Sequence, residues 1–226
     1  MLQASRLIVT ALFTGLITLG AVGCLRNNEP KEQKKNLYQV ITGGDSEEER
    51  EGWNAKYKSR AYVSGKEPDA FLKQNIRLLP KGTTLLFPME EGRNAIFLAK
   101  NGFAVAGIDY SDAALQKAHR LARENQVKIS GINADLEQYE FEAGKYDVII
   151  GLDLYRPRLV QQVKSGLKKN GIVLYTASMA TASQLKAGNA PSNVVKPGEL
   201  RNLFDGFQVI HYHEDGELAH LIARKP

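Results

Sequence analysis

The chain has 226 residues, a mass of 25.0 kDa and a formal net charge of +5, with 43% hydrophobic and 24% charged residues. That suits one α/β-sized domain with an N-terminal extension. The basic balance allows nucleic-acid or membrane partners, but no arginine cluster is interleaved with aromatics, so a nucleic-acid partner is not expected. The single cysteine, Cys24, excludes an internal disulfide.

Arg6 precedes an uncharged run from Leu7 to Leu25. Three readings fit it. A cleaved signal peptide combines a basic start, an apolar centre and small residues before the cut. A membrane anchor needs about 20 apolar residues, which the run just supplies. The third reading uses Cys24. Ala21-Val22-Gly23-Cys24 resembles a bacterial lipoprotein signal, in which the cysteine becomes the lipidated first residue; leucine is usual where Ala21 stands. Residues 26–51 are polar and read as a tether that cannot fold alone. Arg26, Lys31, Lys34 and Lys35 would place the domain on the cytoplasmic side if the run is an uncleaved anchor. The signal readings place it outside. The expected division is therefore signal or anchor 1–25, tether 26–51 and globular domain 52–226, membrane-associated through a lipid or an anchor.

Trp53, Tyr57, Tyr62 and Val63 form an aromatic piece that ends in Gly65-Lys66-Glu67-Pro68. Pro68 suits a first helical turn, and Ala70, Phe71, Leu72 and Ile76 continue at helical spacing. After the turn Pro80-Lys81-Gly82, residues 83–87 read as a buried parallel strand. A helix over 92–100 is stopped by Asn101-Gly102. A strand over 104–108 and a helix over 112–125 follow, the helix with Ala114, Leu115, Ala118, Leu121 and Ala122 on one side. Further strands are predicted over 127–132, 146–151 and 172–176. A helix over 159–167 is predicted to end at Lys168-Lys169-Asn170-Gly171. Lys196-Pro197-Gly198 opens a short helix, and 207–212 with 218–223 read as a closing antiparallel pair. The alternation of strands and helices defines a doubly wound α/β sheet.

In such sheets the ligand lies outside the carboxyl ends of the strands. Four loops leave those ends. In the first, Pro88 to Asn94, a glycine permits close approach and a helix start offers N–H groups. In the second, Asp109-Tyr110-Ser111, an acidic side chain can accept from ribose hydroxyls. In the third, Asn133 to Leu136, Asp135 can accept from an adenine amine. The fourth, Gly151 to Arg156, borders the ligand's reactive end. Each has a plainer reading: Asp109 stabilises the next helix start, with Ser111 or Asp112 as its cap; Asp135 is a turn residue; Gly92 permits close packing.

The segments Trp53-Asn54-Ala55-Lys56-Tyr57, Gly65-Lys66-Glu67-Pro68, Glu91-Gly92-Arg93-Asn94-Ala95, Gly107-Ile108-Asp109-Tyr110-Ser111, Ala134-Asp135-Leu136 and Pro197-Gly198-Glu199-Leu200 resemble class I S-adenosylmethionine-dependent methyltransferases. The closest likeness is to the small bacterial branch similar to tellurite and thiopurine methyltransferases. The resemblance runs over nearly everything after Trp53. It implies a Rossmann-like, seven-stranded sheet with an antiparallel last strand and S-adenosylmethionine as cofactor. By position, Glu91, Gly92, Arg93 and Asn94 would border the cofactor's methionine part, Asp109 would hold the ribose, and Tyr110, Ala134, Asp135 and Leu136 would surround the adenine. Leu152 would lie beside the sulfonium.

Two departures from the family's pattern stand out. Leu86 replaces an acidic residue that often ends the first strand. Glu90 stands where the loop usually has a glycine, and Pro88 where it often has a small residue. A carboxylate at Glu90 would crowd the cofactor unless it points to solvent. A soft acceptor, such as a thiol or a chalcogen oxyanion, needs no general base. A hydroxyl or amine acceptor could use Tyr155, His211, His213 or His220. His211 and His213 share a strand face, but the histidines read as surface or core residues rather than metal ligands. Two functions follow: methyl transfer to a small molecule, or a membrane-tethered, degenerate binding or scaffold protein on the same fold.

Overall fold

The computed structural model describes residues 47–226. Its strands are β1 (Thr83–Phe87), β2 (Ala104–Asp109), β3 (Ser130–Asn133), β4 (Tyr146–Gly151), β5 (Leu167–Ser178), β6 (Gln208–Glu214) and β7 (Leu218–Arg224). They form one seven-stranded sheet in the order β3-β2-β1-β4-β5-β7-β6. Pairing is parallel from β3 through β5, and β7 runs antiparallel to both β5 and β6. This is the doubly wound sheet with an antiparallel last strand that the alternation predicts. The helices are α1 (Glu47–Tyr57), α2 (Ala70–Asn75), α3 (Arg93–Lys100), α4 (Asp112–Glu124), α5 (Pro157–Gly166), α6 (Ala182–Ala187) and α7 (Glu199–Leu203).

The side-chain period of two in β1 explains why both faces are covered. Leu85 and Phe87 enter one core with Val160 and Val163 of α5 and Leu200 of α7. Leu86 enters the other with Leu98 of α3, Ala118 and Leu121 of α4, and Leu72 of α2. Each buried Leu, Val or Phe among them is worth about 1.5–3 kcal/mol. Helix α3 sits close on α4 because Gly92, at φ +91°, has no side chain: a Cβ there would lie 2.7 Å from the Ala118 Cβ. The close-packing reading of Gly92 is thus the one its surroundings support.

The elements differ from the sequence expectations in four places. Helix α1 starts at Glu47, inside the stretch read as tether, because it docks on the start of α4. Asn54 Oδ1 accepts from Ser111 Oγ at 2.7 Å and from the Ala113 N–H at 3.4 Å. Strand β3 is shorter than expected, and its edge position leaves it half-exposed. Helix α5 ends at Gly166, and Leu167 already pairs with Tyr146. Lys168 to Gly171, read as a helix stop, is an irregularity within β5 with Asn170 at φ +62°. Helix α6 was not anticipated; its capping box of Thr181 and Gln184 accounts for it. Two caps agree with expectation or refine it. Ser111 caps α4, and Asp69, one residue after Pro68, caps α2 by accepting from the Leu72 N–H.

Cys24, the apolar run and residues 26–46 of the tether lie outside the described residues. Among the described residues no helix is long and apolar enough to cross a membrane.

Candidate cofactor and active site

The strand order reverses between β1 and β4, so a crevice opens above their carboxyl ends. The three loops there are stitched together by backbone bonds. Met89 N–H donates to Ile108 O (2.8 Å), Leu152 N–H to Phe87 O (3.0 Å) and Ala134 N–H to Asp109 O (3.2 Å). A cavity of 230 Å³ lies in this crevice. It is lined by Pro88, Glu90, Asp109, Tyr110, Leu136 and the segment Leu152 to Leu154 with Arg156, and by Trp53 and Tyr57 of α1. Helix α1 is therefore its roof, with Trp53 stacked on Tyr57 at 5.7 Å.

Asp109 is the best-defined polar group of the cavity. It is 5% exposed. Its Oδ2 accepts from the Glu90 N–H at 2.8 Å and its Oδ1 from the Ser111 N–H at 2.9 Å. Each oxygen keeps a second lone pair for a hydroxyl donor. Burial pushes the carboxyl up to about 6, opposed by those N–H bonds and reinforced by the Glu90 charge. Burial, then the charges of Glu90 and Asp109, also push the Tyr57 phenol up, so it stays protonated at neutral pH.

Glu90 is in the left-handed region, at φ +52°. This is the backbone conformation for which a glycine is the usual choice, at a cost of roughly 1–2 kcal/mol to any other residue. Glu90 is a lining residue of the cavity, and its carboxylate lies 3.4 Å from Arg93 Nε. The Glu90 side chain is 25% exposed. Asp153, also a lining residue, is at φ +50°. It is held by its N–H donating to Thr176 Oγ1 (2.8 Å) and by Ser178 Oγ donating to its Oδ1 (2.6 Å). The lining thus has three carboxylates against one cation, Arg156, which itself lies 3.6 Å from Glu137.

Of the cofactor contacts that the resemblance implies, Asp109, Tyr110, Leu136 and Leu152 come together here. The others do not line the cavity, and their bonds explain why. Glu91 is fully buried; its Oε1 is 2.6 Å from Lys117 Nζ and its Oε2 accepts from the Ser64 N–H at 2.9 Å. Asn94 Oδ1 accepts from the Asp69 N–H at 2.8 Å, and Arg93 Nη1 donates to Glu67 O at 3.5 Å. Together with Gly92, this motif fastens the segment 61–69 to the domain. Asp135 is occupied by its own turn, accepting from the Glu137 N–H (2.8 Å) and from Gln138 Nε2 (3.1 Å). Ala134 precedes that turn.

The proposed acid–base candidates also lie elsewhere. Tyr155 is buried, and its hydroxyl lies 3.4 Å from Glu199 Oε1; burial and that carboxylate push its phenol up to about 12. His211 and His220 pack on Phe71 of α2, His213 stacks on His220, and His220 Nε2 lies 3.2 Å from Asp215. Among the described residues, no group of three or more histidine, cysteine or acidic side chains is placed to hold a metal. Trp53, Tyr57 and Asp153 were not named as site residues. The i, i+4 spacing of the two aromatics, which puts them on one helix face, was the available signal.

The sheet order and this crevice define a Rossmann-like methyltransferase fold. A family model described as a methyltransferase domain matches residues 89–171, which run from the loop after β1 into β5. The chain is similar to the carboxy-S-adenosyl-L-methionine synthase of Nautilia profundicola, with 30% identity over 90 residues. The match covers 38% of this chain and 38% of that relative's length. Among solved structures, TehB from Haemophilus influenzae superposes with a TM-score of 0.59 at 18% identity, covering 77% of this chain and 66% of that one. A possible exported protein from Bordetella parapertussis gives 0.57 at 18% identity, covering 77% and 79%. Both likenesses are of fold.

Proposed function

We propose that the chain is an S-adenosylmethionine-dependent methyltransferase acting on a small, uncharged nucleophile. The observation that carries this reading is the lining of the crevice on a methyltransferase fold. Acidic groups and aromatic rings surround a cavity at the β1–β4 switch point, where a cation is favoured over an anion. S-adenosylmethionine, the cofactor that the methyltransferase-domain match and the carboxy-S-adenosyl-L-methionine synthase relative imply, brings such a cation as its sulfonium.

The residues fit that group in kind. Asp109 retains acceptor capacity for ribose hydroxyls. Tyr110 and Leu136 offer a ring and an apolar surface for a base, and Leu152 an apolar wall. When bound, the cofactor supplies an electrophilic methyl group. The protein's part is to orient the acceptor and exclude water, the main lever in such transfers. The stacked pair Trp53 and Tyr57 closes the crevice from above. Lys117 and Glu91 hold the segment that follows that roof.

The lining also discriminates between the acceptors suggested by the sequence. Three carboxylates would repel a chalcogen oxyanion, whereas a neutral thiol meets no such barrier. A thiol enters neutral and must give up its proton as the sulfur–methyl bond forms and the methyl leaves the sulfonium; water or a lining carboxylate would take that proton, so neither Tyr155 nor His211 is required. The second reading, a degenerate binding protein, is favoured by one observation: Glu90, a lining residue with an acidic side chain, stands in a strained conformation. Calorimetry of the full-length chain with S-adenosylmethionine and S-adenosylhomocysteine tests the first reading. Saturable heat with either ligand is expected, and none at millimolar concentrations would leave the degenerate reading standing. We further propose that the N-terminal run associates the protein with a membrane, with lipid on Cys24. Fatty-acid labelling of wild type and Cys24→Ser tests this, and equal labelling would exclude it.

A further inference from the structure

A second concavity lies on the other side of Tyr57. It measures 680 Å³ and is formed by the end of α1, the turn Lys58-Ser59-Arg60 and the exposed face of α4. Its walls carry Lys58, Arg60, His119, Arg120 and Arg123, with Lys117 at its base, and no carboxylate lines it. The cofactor crevice is acidic, this cleft is basic, and Tyr57 is the wall they share.

The cations are not equivalent. Lys117 is buried, its charge matched by Glu91 at 2.6 Å and one proton given to Ala61 O at 2.7 Å. Arg120 Nε lies 3.4 Å from the Tyr62 hydroxyl and 3.9 Å from Glu124. Lys58, Arg60 and Arg123 are exposed, and among the described residues none of them has a salt bridge. Arg120 and Arg123 stand at i, i+3 on one face of α4, where like charges oppose helix formation. An anion in the cleft would relieve that repulsion. Ser59 and Gln116 add neutral donors to the same walls. Planar guanidinium forks present paired donors that match phosphate oxygens, and a lysine adds a point charge.

We propose that this cleft is a second binding site, separate from the cofactor crevice, that recognises a phosphate group through Lys58, Arg60, Arg120 and Arg123. The phosphate belongs either to a small soluble ligand or to a phospholipid headgroup, which is the same chemistry from two sources. The assignment does not depend on the methyltransferase reading, because it uses no residue of the crevice other than the shared wall.

The probes are inorganic tripolyphosphate, and vesicles of phosphatidylcholine alone or equimolar with phosphatidylglycerol. The full-length chain has one tryptophan, Trp53, stacked on Tyr57, so its fluorescence reports on the shared wall. Two double variants separate a site from diffuse charge. Arg60→Ala/Arg123→Ala removes two charges from the cleft. Arg77→Ala/Lys81→Ala removes two from the opposite end of β1. Saturable tripolyphosphate binding that the first pair weakens at least about tenfold, a change of roughly 1.4 kcal/mol, and the second leaves unchanged, supports a soluble phosphate ligand. A preference for the anionic vesicles that only the first pair abolishes supports a headgroup. Binding to neither probe, or equal weakening by both pairs, overturns the proposal.

Discussion

Replacement of Glu90 separates two effects that the structure places at one residue. Glu90→Gln keeps the side-chain volume and the φ of +52° but removes the charge. Glu90→Gly removes both charge and strain. Either variant keeps the backbone N–H that donates to Asp109 Oδ2. Two like unit charges about 4 Å apart repel by roughly 4 kcal/mol at an effective dielectric near 20. That is the upper bound for Glu90 against the cofactor's own carboxylate. Arg93 Nε lies 3.4 Å from the Glu90 carboxylate, and the Glu90 side chain is 25% exposed, so most of that repulsion is screened. A residual of about 1.4 kcal/mol is a tenfold change in Kd. Glu90→Gln should therefore bind S-adenosylmethionine about tenfold more tightly by calorimetry. Glu90→Gly should match it in affinity. It should also melt higher, because release from the left-handed region is worth about 1–2 kcal/mol, partly offset by the flexibility glycine adds to the unfolded chain. Unchanged or weaker binding by Glu90→Gln would refute the electrostatic account. A Glu90→Gly variant that binds well beside a Glu90→Gln variant that does not would move the cause from charge to bulk.

Asp109 and the Glu91–Lys117 pair yield two further predictions. The Asp109 carboxyl is pushed up to about 6, so the folded state holds its proton where the unfolded chain, with the ordinary value of 3.8, has lost it. Its contribution is full below about pH 4 and is lost as the pH rises to about 6. The total is at most about 3 kcal/mol. Thermal melts from acid to neutral pH should show this loss in wild type and not in Asp109→Asn; parallel curves would contradict the assignment. Removing one member of the buried pair, as in Lys117→Met, strands the other charge and should cost about 3–5 kcal/mol in urea unfolding. Glu91→Leu/Lys117→Met should recover most of that loss, and a double variant as unstable as the single would show that the pair contributes more than mutual neutralisation.

The sheet was legible because its signals are local. Apolar runs such as Leu85 to Phe87 and Val148 to Ile150 have few alternatives to a buried parallel strand, and the helices between them carry periodic apolar faces. Boundaries failed where pairing decided them. Lys168 to Gly171 has the composition of a helix stop, yet Leu167 pairs with Tyr146 and draws those residues into β5. Helix α1 was hidden for a similar reason: its acidic start has no core of its own and is held by Asn54 on α4. At the site, residues at strand ends line the cavity, whereas those of the Glu91-to-Asn94 motif are bonded to protein partners. Asp109 and Leu152 follow from topology alone. Glu91, Arg93 and Asn94 look like ligand contacts in sequence because buried polar residues and ligand-binding ones have the same composition. Only the partners, Lys117, Glu67 and Asp69, tell them apart.

Those partners change what the Glu91-Gly92-Arg93-Asn94 motif means on this chain. Its polar members bind the segment 61–69 through three bonds to backbone atoms, Glu91 also pairs with Lys117 of α4, which in turn donates to Ala61 O, and its glycine seats α3 on α4. That segment is therefore a fixed strap. Helix α1 before it is attached, among the described residues, by Asn54 to the start of α4 and by Arg50 Nη2 donating to Asn133 Oδ1 at 3.3 Å. The cavity beneath α1, at 230 Å³, is smaller than the roughly 300–1,000 Å³ of typical small-molecule sites. A ligand of adenosyl size needs more room than that. Lifting α1 about the turn Lys58-Ser59-Arg60, with the strap in place, would supply it. The basic cleft, whose walls include that same turn, is where a phosphate group could bias the movement.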